Sequence, residues 1–201
     1  MADDHAENIA GLYERYAKTW DKARGKNLFE RAWLDRFRAL VPDGGKILDL
    51  GCGAGEPIAR YLIEQGYRVT GTDSSPAMIA LCRERFPDAR WIVADMRRLA
   101  LHERFDGILA WDSFFHLTHE DQAAMFAVFA KHAASKAALM FTSGRDHGVA
   151  MGEFEGEPLY HASLDPAEYR TLLAANGFEV ATQVFDDPGC GGHSVWLARR
   201  G

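Results

Sequence analysis

The chain has 201 residues, 47% of them hydrophobic and 26% charged, a balance that supports one globular domain with a substantial core and excludes a disordered chain. Its formal net charge of -6 argues against a nucleic-acid partner, which calls for a basic face to displace counterions. Three cysteines, Cys52, Cys82 and Cys190, form neither a CxxC pair nor a zinc spacing, so they read as reduced thiols without a metal. No signal peptide is evident, and no apolar run approaches the ~20 residues of a spanning helix; the reading is a cytoplasmic protein without a membrane partner.

Ile9, Leu12, Tyr13, Tyr16, Ala17 and Trp20 recur at helical spacing and predict a first helix over about 6–20 with an aromatic-rich face. A second is predicted over 27–40, with Phe29, Trp33, Phe37 and Leu40 on one side, before Pro42 to Gly45 breaks the pattern. Ile47 to Leu50 then reads as a buried strand carrying Asp49. Gly51, Gly53 and Gly55 at alternate positions read as a tight turn into a helix, where backbone can approach a ligand closely. Pro57, Ile58, Tyr61 and Leu62 give that helix its first turn and buried face, and Gly66 ends it.

Tyr67 to Thr72 is the second predicted strand, with Asp73 at its end. Ser75 and Pro76 read as N-cap and first residue of a helix carrying Met78, Ile79, Cys82 and Phe86. Trp91 to Val93 is a third strand closing on Asp95, and Phe105 to Trp111 a fourth closing on Asp112. Thr118 and Asp121 open a helix with Met125, Phe126, Phe129 and Ala133 inward, and Ala137 to Thr142 is strand five. Ser143 to Leu164, with four glycines and the acids Glu153, Glu155 and Glu157, reads as a long irregular loop, a kind of segment usually functional or mobile. Asp165, Pro166 and Glu168 set the start of a last helix that Gly177 ends. Phe178 to Val184 and His193 to Ala198 follow as a closing strand pair about the turn Gly189 to Gly192.

Strands alternating with helices predict an α/β fold: a parallel sheet with helices on both faces and a hairpin at one edge. The domain organisation is one domain over 1–201, with N-terminal helices over 1–42, a cofactor-binding core over 45–142, and an acceptor-side loop and C-terminal hairpin over 143–201. Ligands of such sheets bind beyond the carboxyl ends of the strands, where Asp49, Asp73, Asp95 and Asp112 all lie.

Two cofactors suit a glycine loop entering a helix. The dinucleotide spacing G-x-G-x-x-G is not met by glycines at 51, 53 and 55. The Asp49 carboxylate also disfavours a pyrophosphate and favours the cationic amino and sulfonium groups of S-adenosylmethionine. Asp73 suits ribose hydroxyls in either case. Asp49 to Gly55, Asp73, Ala94-Asp95-Met96 and Phe105 to Ala110 together resemble the successive motifs of class I S-adenosylmethionine-dependent methyltransferases, and Glu168 to Val180, including Leu172 to Phe178, resembles the carboxy-terminal part of their small-molecule members.

That resemblance implies a Rossmann-like seven-stranded sheet of order 3-2-1-4-5-7-6 with strand 7 antiparallel, and an N-terminal helical lid. It implies that Asp49 and Gly51, on the loop with Gly53 and Gly55, hold the methionine moiety. Asp73 with neighbouring Ser74 would hold the ribose, Asp95 and Met96 the adenine, and the Ala110 carbonyl the ammonium. Tyr13, Tyr16 and Trp20 are either core or the lid over the cofactor.

The implied reaction moves a methyl group to an oxygen or nitrogen of a small-molecule acceptor, with alignment in a dry site as the main demand. His116 is the candidate general base, against its reading as a packed loop histidine. Trp111, Phe115, Tyr160, His161 and His193 are candidate acceptor-binding residues, each against an ordinary packing or surface role. The three acids of the 143–164 segment leave open a cationic acceptor such as an amine. Nucleic-acid amino methylation is disfavoured because Ala110-Trp111-Asp112-Ser113 stands where a Pro-Pro-aromatic signature is expected. The alternatives are an S-adenosylmethionine sensor or non-catalytic partner subunit, and an NAD-dependent oxidoreductase; the oligomeric state is not readable.

Overall fold

A computed structural model describes residues 2–201, with side chains described from residue 5 onward. The helices are α1 (Ala2–Arg24), α2 (Arg31–Arg38), α3 (Ile58–Glu64), α4 (Pro76–Arg85), α5 (His119–His132) and α6 (Pro166–Ala175). The strands are β1 (Lys46–Leu50), β2 (Arg68–Asp73), β3 (Arg90–Val93), β4 (Phe105–Ala110), β5 (Ala133–Ser143), β6 (Gly148–Phe154), β7 (Glu157–Ser163), β8 (Phe178–Asp187) and β9 (His193–Arg200).

Seven strands form one sheet of order β3-β2-β1-β4-β5-β9-β8, in which β9 runs antiparallel to both neighbours, as expected for this α/β architecture. Alternation along each strand sends consecutive residues to opposite faces and so builds two cores. On one face Ile47, Val69, Leu109, Met140 and Leu197 pack with α2, α3 and α4 through Trp33, Phe37, Leu62 and Ile79. On the other Leu48, Ile108, Leu139, Phe141 and Trp196 pack with α5 and α6 through Phe126, Phe129, Tyr169 and Leu173. The sheet order reverses between β1 and β4, whose neighbours lead away in opposite directions, and the crevice opens above their carboxyl ends.

The structure differs from the sequence reading at several boundaries. The first helix runs on to Arg24, with a kink at Tyr16 (φ -111°, ψ 20°). The second begins only at Arg31, and Phe29 is exposed. Pro57 caps α3 rather than entering it, and Ala133 belongs to β5, which begins four residues earlier than the apolar run suggests.

The largest difference is the segment 143–164, which is an antiparallel hairpin of β6 and β7 and not an irregular loop. Glu155 (φ 53°) and Gly156 (φ 78°) form its two-residue turn, both in the left-handed region that matches strand twist. Nearly all of β6 is exposed, so no apolar alternation announces it. The inner strand β7 packs Tyr160 and Ala162 against Ile9 of α1, placing hairpin and helix together over the crevice.

Phe141 is fully buried and its ring meets Phe114, Phe126, Phe129, Tyr169 and Trp196. Phe141→Ala is therefore expected to cost about 3–5 kcal/mol in chemical denaturation, because so many rigid rings cannot collapse onto the void.

Candidate cofactor and acceptor site

The cavity above β1 and β4 is lined by Asp49, Gly51, Gly53, Asp73, Ser74, Asp95, Met96, Trp111 and His116, and by Tyr13 and Trp20 of α1. Residues from four strand ends and the N-terminal helix thus converge on one space.

Gly51 (φ 70°) turns the chain out of β1 in a conformation that other residues adopt at a cost. Its amide and that of Cys52 donate to the Thr72 carbonyl at 2.8 and 3.0 Å, binding the loop to the end of β2. A Cβ at Gly51 would overlap Ser113, whose hydroxyl donates to the Leu50 carbonyl at 2.7 Å. Asp73 closes the other side: one carboxylate oxygen accepts the Gly53 amide at 3.0 Å and the other the Ser75 amide at 2.9 Å. A carboxylate accepts about four hydrogen bonds, so both oxygens retain capacity toward the cavity.

The Asp49 side chain has no hydrogen-bond or ion-pair partner among the described residues, and the residue is 4% exposed. Burial, with the neighbouring Asp73 charge, pushes its carboxyl up to about 7. Asp73 is also raised by burial, against the pull of its backbone donors. Asp95 is different. Burial raises it, but the Arg97 guanidinium at 2.7–3.0 Å and the Arg97 amide at 2.9 Å hold it below the ordinary carboxylate range. Arg97 also reaches Asp121 at 3.0 Å, so this edge of the cavity carries a paired network.

His116 is buried, and its Nδ1 lies 2.7 Å from the Tyr160 carbonyl. That carbonyl only accepts, so Nδ1 carries the proton and Nε2 presents a lone pair. The Tyr13 hydroxyl, 3.0 Å from Nε2, donates to it. Burial pulls the imidazole down to about 3, opposed by the Tyr160 carbonyl. The histidine read as a general base is here a neutral acceptor whose lone pair is engaged by the helix above it.

Not every candidate reaches the cavity. Gly55 (φ 76°) faces Cys82 and Phe86 of the α4 region, and Ala110 is buried within β4. Tyr16, at the kink, packs against Phe154 of β6 at 6.0 Å. Phe115, Tyr160, His161 and His193 do not line the cavity, although His193 lies 3.6 Å from Asp112, which does. Phe115 meets His161 at 5.1 Å and His193 at 5.4 Å, while His161 meets His116 at 4.9 Å.

Sequence alone gives Glu14 and Ser113 no role, and it places Asp112 at a strand end without assigning it one. Glu14 accepts from the Ser75 hydroxyl at 2.6 Å and the Ala77 amide at 2.9 Å, tying α1 to the start of α4; nothing local signals a partner 61 residues away. Asp112 and Ser113 lie two and three residues beyond the end of β4, and the strand-end position of Asp112 is the signal that sequence offers.

The fold and this crevice define the class: the chain has the class I methyltransferase fold. Residues 47–136 match the family described as a methyltransferase domain. Over 67 residues the chain is 45% identical to trans-aconitate 2-methyltransferase of Escherichia coli O1:K1, covering 32% of this chain and 26% of that protein. The chain spans less than two-fifths of the length of the curated relatives it matches. Among solved structures, a 1,6-didemethyltoxoflavin-N1-methyltransferase of Burkholderia thailandensis with bound S-adenosylhomocysteine superposes with a TM-score of 0.77 at 19% identity, covering 100% of this chain and 90% of that one. CalS10, an amino pentose methyltransferase of Micromonospora echinaspora bound to S-adenosylmethionine, gives 0.71 at 23% identity, covering 92% of this chain and 96% of that one. Among the described residues no helix is long and apolar enough to cross a membrane.

Two outcomes follow from the buried groups. Asp49 keeps its proton to about 7 when folded and loses it near 3.8 when unfolded, so its contribution to stability is lost as pH rises through about 7. Asp49→Asn should thus stabilise the ligand-free protein at pH 8 by roughly 1–3 kcal/mol in denaturant titrations, and by less at pH 5. Tyr13→Phe leaves His116 Nε2 buried without its donor and should cost about 1–2 kcal/mol by the same measurement.

Proposed function

We propose that the protein transfers the methyl group of S-adenosylmethionine to an oxygen or nitrogen of a small-molecule acceptor. The observation that carries this reading is the pair of carboxylates, buried Asp49 and half-buried Asp73, that face a glycine loop with no cationic side chain to neutralise them. A cofactor with cationic ammonium and sulfonium groups supplies the missing charge. A pyrophosphate in the same place meets two negative groups, which counts against an NAD-dependent oxidoreductase.

In this reading Asp49 and the Gly51–Gly53 turn hold the methionine end, and the unused capacity of Asp73, beside Ser74, accepts the ribose hydroxyls. Asp95 and Met96 border the adenine, with Arg97 fixing the carboxylate, while Tyr13 and Trp20 cover the cofactor as part of a lid formed by α1. The chain's part in the reaction is to align donor and acceptor and to exclude water. The acidic net charge and acid-lined cavity support a small acceptor over nucleic acid, and the free thiols of Cys52, Cys82 and Cys190 support a reducing cytoplasm.

Calorimetry tests the donor: S-adenosylhomocysteine is expected to bind and NAD is not. Asp73→Ala should weaken that binding by about 1–3 kcal/mol, since ribose hydroxyls lose their acceptor. An unchanged affinity in the folded variant takes Asp73 out of the site. Formation of S-adenosylhomocysteine across an acceptor panel separates an enzyme from a sensor.

A further inference from the structure

We infer that the acceptor is an amine, held as its ammonium by the carboxylate of Asp112 beside His193 and methylated at nitrogen, an inference that rests on the methyltransferase reading above.

The charges around the cavity single out Asp112. Of the other acids in its wall, Asp21 is paired with Arg85, Glu56 with Arg60 and Lys26, and Asp95 and Asp121 with Arg97. Glu7 stands exposed at the mouth, and Asp49 and Asp73 face the glycine loop. Asp112 has no full cationic partner. His193 Nε2 is 3.6 Å from its Oδ1, and the more remote Arg24 is itself engaged by buried Glu30.

The backbone is built to hold this carboxylate in place. Asp112 has φ 48°, a left-handed conformation that costs a non-glycine residue energy and persists only when its surroundings enforce it. Fully buried Thr142 enforces it: its hydroxyl accepts the Asp112 amide at 2.9 Å and donates to the carboxylate at 3.3 Å. Trp111, next in the chain, lines the same wall and offers an aromatic surface that suits an ammonium group. An acceptor carboxylate brought here meets a like charge, whereas an ammonium finds the partner that the protein itself withholds.

Asp112 also supplies the proton acceptor that His116 does not, since the His116 lone pair is engaged by Tyr13. Burial raises the Asp112 carboxyl above the ordinary range, against the pull of His193. The ammonium passes one proton to Asp112, leaving a neutral amine. Its lone pair forms the N–C bond to the methyl carbon as the C–S bond breaks. The bonding pair stays on sulfur, giving the neutral thioether of S-adenosylhomocysteine and an N-methylammonium product. Asp112 then releases its proton to solvent.

The test uses the full chain loaded with S-adenosylhomocysteine and sets of probes that share a skeleton and differ in one group: phenethylamine, 2-phenylethanol and phenylacetate, then butylamine, butanol and butyrate. The amine of a set is expected to bind at least tenfold more tightly than its alcohol and its carboxylate, and with S-adenosylmethionine to give N-methyl product. The near-isosteric Asp112→Asn should abolish that preference while its affinity for S-adenosylhomocysteine, which reports folding, stays within threefold of wild type. A wild type that binds no amine, that ranks alcohol or carboxylate first, or whose amine preference survives Asp112→Asn overturns the amine assignment and leaves the methyltransferase reading standing. Absence of S-adenosylhomocysteine binding by the wild type overturns both.

Discussion

The structure depends on an electrostatic imbalance that it maintains at the centre of its sheet. Asp49 sits in β1 opposite Gly71 of β2, and Asp73 ends that same neighbouring strand. Two carboxylates so placed in a buried crevice repel each other and lose hydration, and no described lysine or arginine compensates them. The backbone spreads the load for one of them: amides of Gly53 and Ser75 converge on Asp73. Asp49 receives no such help. The fold therefore carries a standing electrostatic cost at this crevice, which a cation bound as proposed would relieve.

That arrangement was largely legible from sequence because it is local. The apolar run of β1, the alternate glycines and the acids at strand ends are consecutive residues or strand termini, and the sheet order follows from alternating strands and helices. The parts that were not legible depend on long-range partners. Glu14 gains its role from Ser75, Ser113 from the Leu50 carbonyl, and Asp112 from Thr142, none of which a pattern in neighbouring residues encodes. The β6–β7 hairpin escaped for a different physical reason. Its outer strand faces solvent along nearly its whole length, and its turn uses Glu155 where asparagine or aspartate is the familiar signal.

The same hairpin changes the meaning of the N-terminal helix. From sequence the aromatic stripe of α1 is core or lid; in the structure part of it packs on the hairpin and part borders the cavity. Ile9 packs on β7, while Tyr13 and Trp20 border the cavity and meet Phe154 of β6. Polar ties hold the helix on several sides: Glu14 to the start of α4, Asp21 to Arg85, Arg15 to Glu157 on β7, and Tyr13 to His116. Exposed ion pairs such as that of Arg15 contribute little. The buried Tyr13–His116 bond matters more, because opening the helix leaves an imidazole lone pair without a donor in an apolar setting.

His116 thereby links the helix to the hairpin, and its tautomer explains why. The Tyr160 carbonyl takes the only proton the ring carries, so the opposite nitrogen can accept from Tyr13 but cannot donate to anything. Coupling runs from the hairpin strand through the ring to the helix, joining the two elements that the chain adds around the sheet. A ring held this way resists protonation, because burial and the neighbouring His161 pull it down to about 3 against the Tyr160 carbonyl. Asp112 differs: it is half-buried, burial raises its carboxyl, the His193 ring 3.6 Å away pulls against that rise, and the proposed proton transfer from an amine is assigned to it rather than to His116.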